Sequence, residues 1–158
     1  MHVPSPIISG EFSSLNPIQE GDKIVNAYTT VLLYAGWILV LALFYALPRV
    51  PQALLGQKRI DSWERGKEST DPLFLQRAKS AHLNCLENFP VFAGVVAMAG
   101  LMGEVEAINA LAAFVLYARI AQSVVHISGT SFIQVFLRAT FFLLQVFITL
   151  YMVYLLVC

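Results

Sequence analysis

The side chains able to do chemistry in this sequence are few, and they fall at helical spacing. Arg77, Ser80, Asn84, Glu87 and Asn88 lie within about 100° of one another when wound at about 100° per residue. Arg119, Gln122, Ser123 and His126 share a face by the same rule, and so do Gln134, Arg138, Gln145 and Thr149. Each of these polar stripes runs along an otherwise apolar segment. Charges in such segments are expensive, by about 2.5–3.5 kcal/mol at the centre of a membrane helix, and face a bundle interior or an aqueous cavity. Three arginines stand against the single carboxylate of Glu87, so an anionic ligand would balance the set. The plainer alternative is an ion pair between Glu87 and Arg119 or Arg138 that ties two helices together.

Other chemistries are poorly supported. There is no HExxH, CxxC or acidic cluster, so no metal site is expected. Ser123 and His126 lack an acidic orienter at useful spacing, which argues against a serine hydrolase. His82 lies about 140° from the Arg77 direction and reads as a packing or inter-subunit histidine. Cys85 and Cys158 form no disulfide framework.

The elements that must position the stripes follow from composition. Of 158 residues, 58% are hydrophobic and 13% charged, against roughly 25% charged in soluble domains. Mean hydropathy is +0.69. Ten Lys and Arg balance ten Asp and Glu, and no basic stripe offers a surface to nucleic acid. Ile24 to Leu47 carries no charge and is long enough, at about 1.5 Å per residue, to cross about 30 Å of hydrocarbon. Further spans are expected at about 73–101, 107–127 and 132–157, after a polar tail at 1–23. Pro48 and Pro51 should end the first helix, and the residues from Arg49 to Pro72 should form an interfacial loop. The expected fold is all-α, an integral membrane up-down bundle of four transmembrane helices in one domain, 24–158.

Arg49, Lys58, Arg59, Arg65 and Lys67 lie in the first loop, whereas the opposite side holds Lys23 among Glu11, Glu20, Asp22, Glu104 and Glu106. The positive-inside rule then puts the first and third loops in the cytoplasm and both termini outside. All three stripes begin at the cytoplasmic ends of their spans. Arg77, His82, Arg119 and Arg138 come within roughly 6–14 Å of that boundary, and Glu87 about 20 Å.

The segment Arg77 to Pro90, RAKSAHLNCLENFP, resembles the second-helix signature of the MAPEG family, the membrane-associated proteins in eicosanoid and glutathione metabolism. Asn84, Glu87 and Pro90 are in register with it. Ala118 to His126, ARIAQSVVH, is similar to the family's Arg-containing third-helix motif, and Arg138 with Gln145 resembles its fourth-helix pattern. The resemblance implies a homotrimer with glutathione, the co-substrate, held between subunits near the cytoplasmic side. It implies that Asn84 and Glu87 hold the glutathione backbone and amine, that Arg49 reaches a carboxylate, that Gln122 and His126 contribute from helix three, and that Arg138 stabilises the thiolate. Arg77 and Arg119 complete the cationic side of the expected glutathione site.

Four positions depart from the eicosanoid-forming pattern. Ser80 and Asn88 replace an arginine and an aromatic, His126 stands at a tyrosine position, and the fourth-helix tyrosine falls on Phe141 or Phe142. The expectation is therefore a general glutathione transferase, or a glutathione-dependent peroxidase, acting on lipophilic electrophiles in lipid metabolism or detoxification. The alternative is a non-catalytic scaffold or lipid-binding protein of the same fold. Its membrane would be a bacterial inner membrane or the endoplasmic reticulum.

Overall fold

The computed structural model describes residues 26–57, Trp63 and residues 71–158. The expected tail, 1–23, and the loop residues Lys58, Arg59, Arg65 and Lys67 lie outside the described residues. Among those described there are five helices and no strand: α1 (Ala27–Ala46), α2 (Arg49–Leu54), α3 (Leu73–Met102), α4 (Val105–Ser128) and α5 (Phe132–Val157). Four of them, with α2 prolonging α1, are long and apolar enough to cross a membrane. A helix satisfies every interior backbone group within itself, which is what a solvent without hydrogen-bonding capacity demands.

The local signals explain the boundaries. Asn26 caps α1, its side chain accepting from the Thr29 N–H at 2.8 Å. Gly103, in the left-handed region at φ +77°, closes α3 with paired bonds to Ala99 and Gly100 carbonyls, leaving only Glu104 before α4 begins. Ser131 and Gln134 form a capping box that starts α5. The loop after α1 departs from expectation, because the chain turns helical again at α2. Pro51 is the third residue of that helix, where its missing N–H is one that no helical carbonyl would have accepted, so it is tolerated there.

α4 lies at the centre of the bundle and packs against α1, α3 and α5, while α3 and α5 barely meet. Small residues allow the close approaches: Ala78, Ala81, Cys85 and Ala99 on α3 and Ala112 and Ala118 on α4 are all buried. Tyr34 of α1 wedges against Phe89 and Phe92 of α3, with ring centroids 5.3 and 5.7 Å away. α5 buries only Gln145 and Met152 and presents most of its surface outward. The weak α3–α5 contact is the feature that matters for function, since it leaves a cleft floored by α4.

A bond from α4 anchors the start of α1: the Asn109 side-chain oxygen accepts from the buried Ala27 N–H at 2.8 Å. Asn109→Ala strands that donor and is expected to cost about 1–2 kcal/mol. Circular dichroism during SDS unfolding of detergent-solubilised protein would read the loss. An unchanged midpoint would mean that the bond contributes nothing net.

Candidate functional site

The cleft between α3 and α5 contains a cavity of about 440 Å³ lined by Ser80, Leu83, Asn84 and Glu87 of α3, Gln122 and His126 of α4, and Val135, Arg138, Ala139 and Phe142 of α5. It therefore gathers five of the eight residues expected at the site: Asn84, Glu87, Gln122, His126 and Arg138. It lies toward the end of the bundle that carries α2, Asp71 and the α4–α5 turn. The capping box sets its third wall. Gln134 is locked to Ser131 and donates to the Ser128 hydroxyl at 3.0 Å, so α5 leaves the turn with Val135, Arg138, Ala139 and Phe142 directed at the cleft.

Glu87 and Arg138 face this cavity without an ion pair or hydrogen bond among the described residues. The expected alternative of a Glu87 ion pair with Arg119 or Arg138 is thus not what the chain forms; the ion pair found among the described residues joins Arg49 and Asp71, at 2.7 Å. His126 adds a buried ring nitrogen, Nδ1, with no hydrogen-bond partner among the described residues. Gln122 is oriented from behind: its side-chain oxygen accepts from Arg119 at 3.0 Å and from Gln145 at 2.9 Å. Both bonds fall on the oxygen, so the amide nitrogen is the end left for the cavity. A carboxylate, a guanidinium, an amide donor and an imidazole unengaged in one cleft can meet a ligand carrying both an ammonium and carboxylates.

Three expected site residues are elsewhere. Arg49 is not on the cavity wall; it pairs with Asp71 and lies over the rings of Tyr45 and Trp63, and Trp63 donates to the same carboxylate at 3.0 Å. Its position after Pro48 directs it along α2 toward the α3 entrance. Arg77 donates to the Ile127 carbonyl at 2.9 Å, satisfying an end-of-helix acceptor on α4. Arg119 is 1% exposed, behind Gln122 and 5.7 Å from the centroid of the Tyr34 ring. His82 is buried between α1 and α3, its Nδ1 3.1 Å from the Ile38 carbonyl, which fits a packing role.

A second cavity of about 260 Å³ lies deeper, lined by Tyr34, Asn88, Phe92, Arg119, Gln145 and Thr149 together with aliphatic side chains of α3, α4 and α5. The polar stripes of α4 and α5 are divided by depth between the two cavities, and that of α3 by face. On α3, Asn84 and Glu87 face the first and Asn88 the second; on α4, Gln122 and His126 face the first and Arg119 the second; on α5, Arg138 faces the first and Gln145 the second. The second cavity was not anticipated from sequence, although its signal was present: a seven-residue step along a helix keeps its face but moves about 10 Å along the axis.

The family model described as MAPEG family matches residues 27–158. No curated protein and no solved structure matches the chain.

Proposed function

The chain belongs to the MAPEG family, and on that premise we propose that it is a membrane-bound glutathione transferase, with glutathione-dependent peroxidase activity as a second reaction, acting on lipophilic electrophiles. The observation carrying this reading is the α3–α5 cleft, which holds Glu87 and Arg138, unpaired among the described residues, beside Asn84, Gln122 and His126. In it, Glu87 takes the tripeptide's ammonium, Asn84 its backbone, and Gln122 and His126 its polar atoms. Arg138 sits where a guanidinium favours a thiolate over a thiol. Glutathione supplies the nucleophilic sulfur. The chain's own contribution is to orient it, to hold its charge and to leave the cleft open toward the lipid through Leu83 and Phe142, both partly exposed.

The assembly proposed is a homotrimer, in which a neighbour borders the cleft and leaves its lipid-facing side open. Arg49, on Asp71, is then a structural arginine unless a neighbour's ligand displaces that pair. The cleft would face the cytoplasm and both termini the opposite side, in a bacterial inner membrane or the endoplasmic reticulum.

Calorimetric titration of glutathione into the detergent-solubilised protein tests the proposal. Glu87→Gln removes the charge that meets the ammonium and is expected to weaken binding by about tenfold to a hundredfold. Absence of binding to folded wild-type protein would favour the second reading, a non-catalytic scaffold or lipid-binding member. Two observations favour that reading. Ser80 donates back to its own helix at the Gln76 carbonyl, 3.1 Å away, and Asn88 donates to the Asn84 carbonyl at 3.0 Å, so neither extends the cleft's reach.

A further inference from the structure

Gln122 stands between the cleft and two residues behind it. It lines the α3–α5 cleft, whereas Arg119 and Gln145 line the deeper cavity and not the cleft. Arg119 Nη1 donates to the Gln122 side-chain oxygen at 3.0 Å, and Gln145 Nε2 donates to the same atom at 2.9 Å. A guanidinium has donors and no acceptor, so the amide end that faces it is the oxygen. Gln145 is held in turn, because its nitrogen also donates to the Phe141 carbonyl at 2.8 Å; turned over, it would set its own oxygen against two others. A free glutamine amide can present either end. This one is fixed with its N–H toward the cleft.

As glue between helices the arrangement is expensive. Arg119 is 1% exposed inside a membrane-spanning helix, and no carboxylate among the described residues pairs with it. Its Nε–H and the Gln145 side-chain oxygen are buried with no hydrogen-bond partner among the described residues. Apolar side chains would join α4 to α5 without those penalties. They would not orient an amide or polarise it, whereas a cation on the amide oxygen makes the N–H a stronger donor. The cleft is therefore sided: Glu87 on α3 offers negative charge, while Gln122 on α4 and Arg138 on α5 offer donors.

We propose that Arg119 and Gln145 are positioning residues for the cleft: without touching the ligand, they hold the Gln122 N–H toward it as a second donor, with Arg138, for an anionic ligand atom. On the glutathione reading above, on which this assignment of the atom rests, it is the thiolate sulfur, and the ammonium lies toward Glu87. A Gln122 amide turned over would set an oxygen against the anion and oppose its binding there.

The test uses the full chain in phosphatidylcholine nanodiscs with isotopically labelled glutamine side chains, the Gln122 signal being identified by its loss in Gln122→Leu. Its amide protons are expected to exchange with water through the cleft. In Gln145→Glu the new carboxylate takes Arg119 as its counter-charge and accepts from the Gln122 N–H, which turns the amide round. Stability to SDS should not fall, yet the Gln122 amide protons should become protected. The absorbance of bound thiolate should appear about one pH unit higher and kcat should fall about tenfold, with a smaller change in glutathione affinity. Arg119→Met deletes an unbalanced buried charge, so it should fold, and it should lower kcat by about threefold to tenfold; Arg119→Lys, which keeps a charged donor, should restore most of the rate. Unchanged amide exchange in Gln145→Glu would overturn the proposal, as would wild-type kcat and thiolate titration in both Gln145→Glu and Arg119→Met. Wild-type protein that binds no glutathione would defeat the transferase reading and leave the amide exchange to decide the clamp alone.

Discussion

Replacing Arg138 with leucine is expected to lower kcat for conjugation of glutathione to a chlorodinitrobenzene electrophile by about 10²–10³-fold, the usual cost of deleting one preorganised group that stabilises a developing or resident anion. The chemical reason lies in the thiol. A free thiol has a pKa near 8.5 and is only a few per cent ionised at neutral pH, whereas an adjacent guanidinium in a poorly solvated cleft favours the thiolate. Arg138 is placed for this because it faces the cleft and no carboxylate among the described residues engages it. Two readouts separate this role from simple positioning. The variant's activity should rise with pH toward the range of an unassisted thiol, and the absorbance of bound thiolate at neutral pH should disappear. Arg138→Lys keeps the charge without the planar fork and should recover part of the rate. Wild-type turnover in Arg138→Leu, with glutathione still bound, would remove Arg138 from the chemistry.

The largest effect on stability is expected at Gln122, although nothing in its local sequence marks it as structural. Its side-chain oxygen accepts from Arg119 and Gln145 at once, 3% exposed, joining α4 to α5 at the level between the two cavities. Gln122→Leu removes the acceptor of a buried guanidinium and takes one of two acceptors from Gln145. Stranding a buried donor costs about 1–3 kcal/mol, and more for a charged group, so a loss of about 3 kcal/mol is expected. Combining Gln122→Leu with Arg119→Met should recover most of it, because removing both partners leaves no uncompensated charge. SDS unfolding followed by circular dichroism measures both variants. A single change costing less than about 1 kcal/mol would show that water or lipid replaces the lost acceptor.

These two residues show how unequally the site was legible. Arg138 could be identified from the sequence because it is the one charge in the last span, and Glu87 because it is the one carboxylate within the second. A charge in hydrocarbon is costly enough to announce a purpose. Gln122 was visible as a stripe residue, but its task depends on which atoms stand behind it. The same holds for Cys85 and Ser123. Trp37 donates to the Ser123 hydroxyl at 3.2 Å, and Cys85 Sγ lies 3.5 Å from it, so a pair that sequence alone left without a role ties α1, α3 and α4 together.

The arginines divide in the same way. Arg77 and Arg119 were expected at the glutathione site on grounds of depth and face, and Arg49 through the family resemblance. Arg49 instead serves Asp71, Arg77 serves the end of α4, and Arg119 belongs to the deeper cavity. An arginine side chain spans several ångströms from its Cα, so face and depth narrow its surroundings but leave several partners within reach. Which partner it takes depends on loops and helix ends that periodicity does not describe, among them the helical turn α2, which Pro48 and Pro51 were expected to forbid.

By itself, then, the sequence determined the solvent, the number and order of the long helices, the family resemblance and the faces that carry polar groups. It could do so because hydrocarbon permits only long apolar helices here and penalises every charge placed in one. The tertiary structure alone decided that α3 and α5 stand apart while both lean on α4, that the stripes are divided between two cavities, and which arginines face them. Those outcomes rest on how closely neighbouring helices approach, which depends on alanines, Cys85 and the Tyr34 wedge meeting across interfaces, and no single helix encodes that distance.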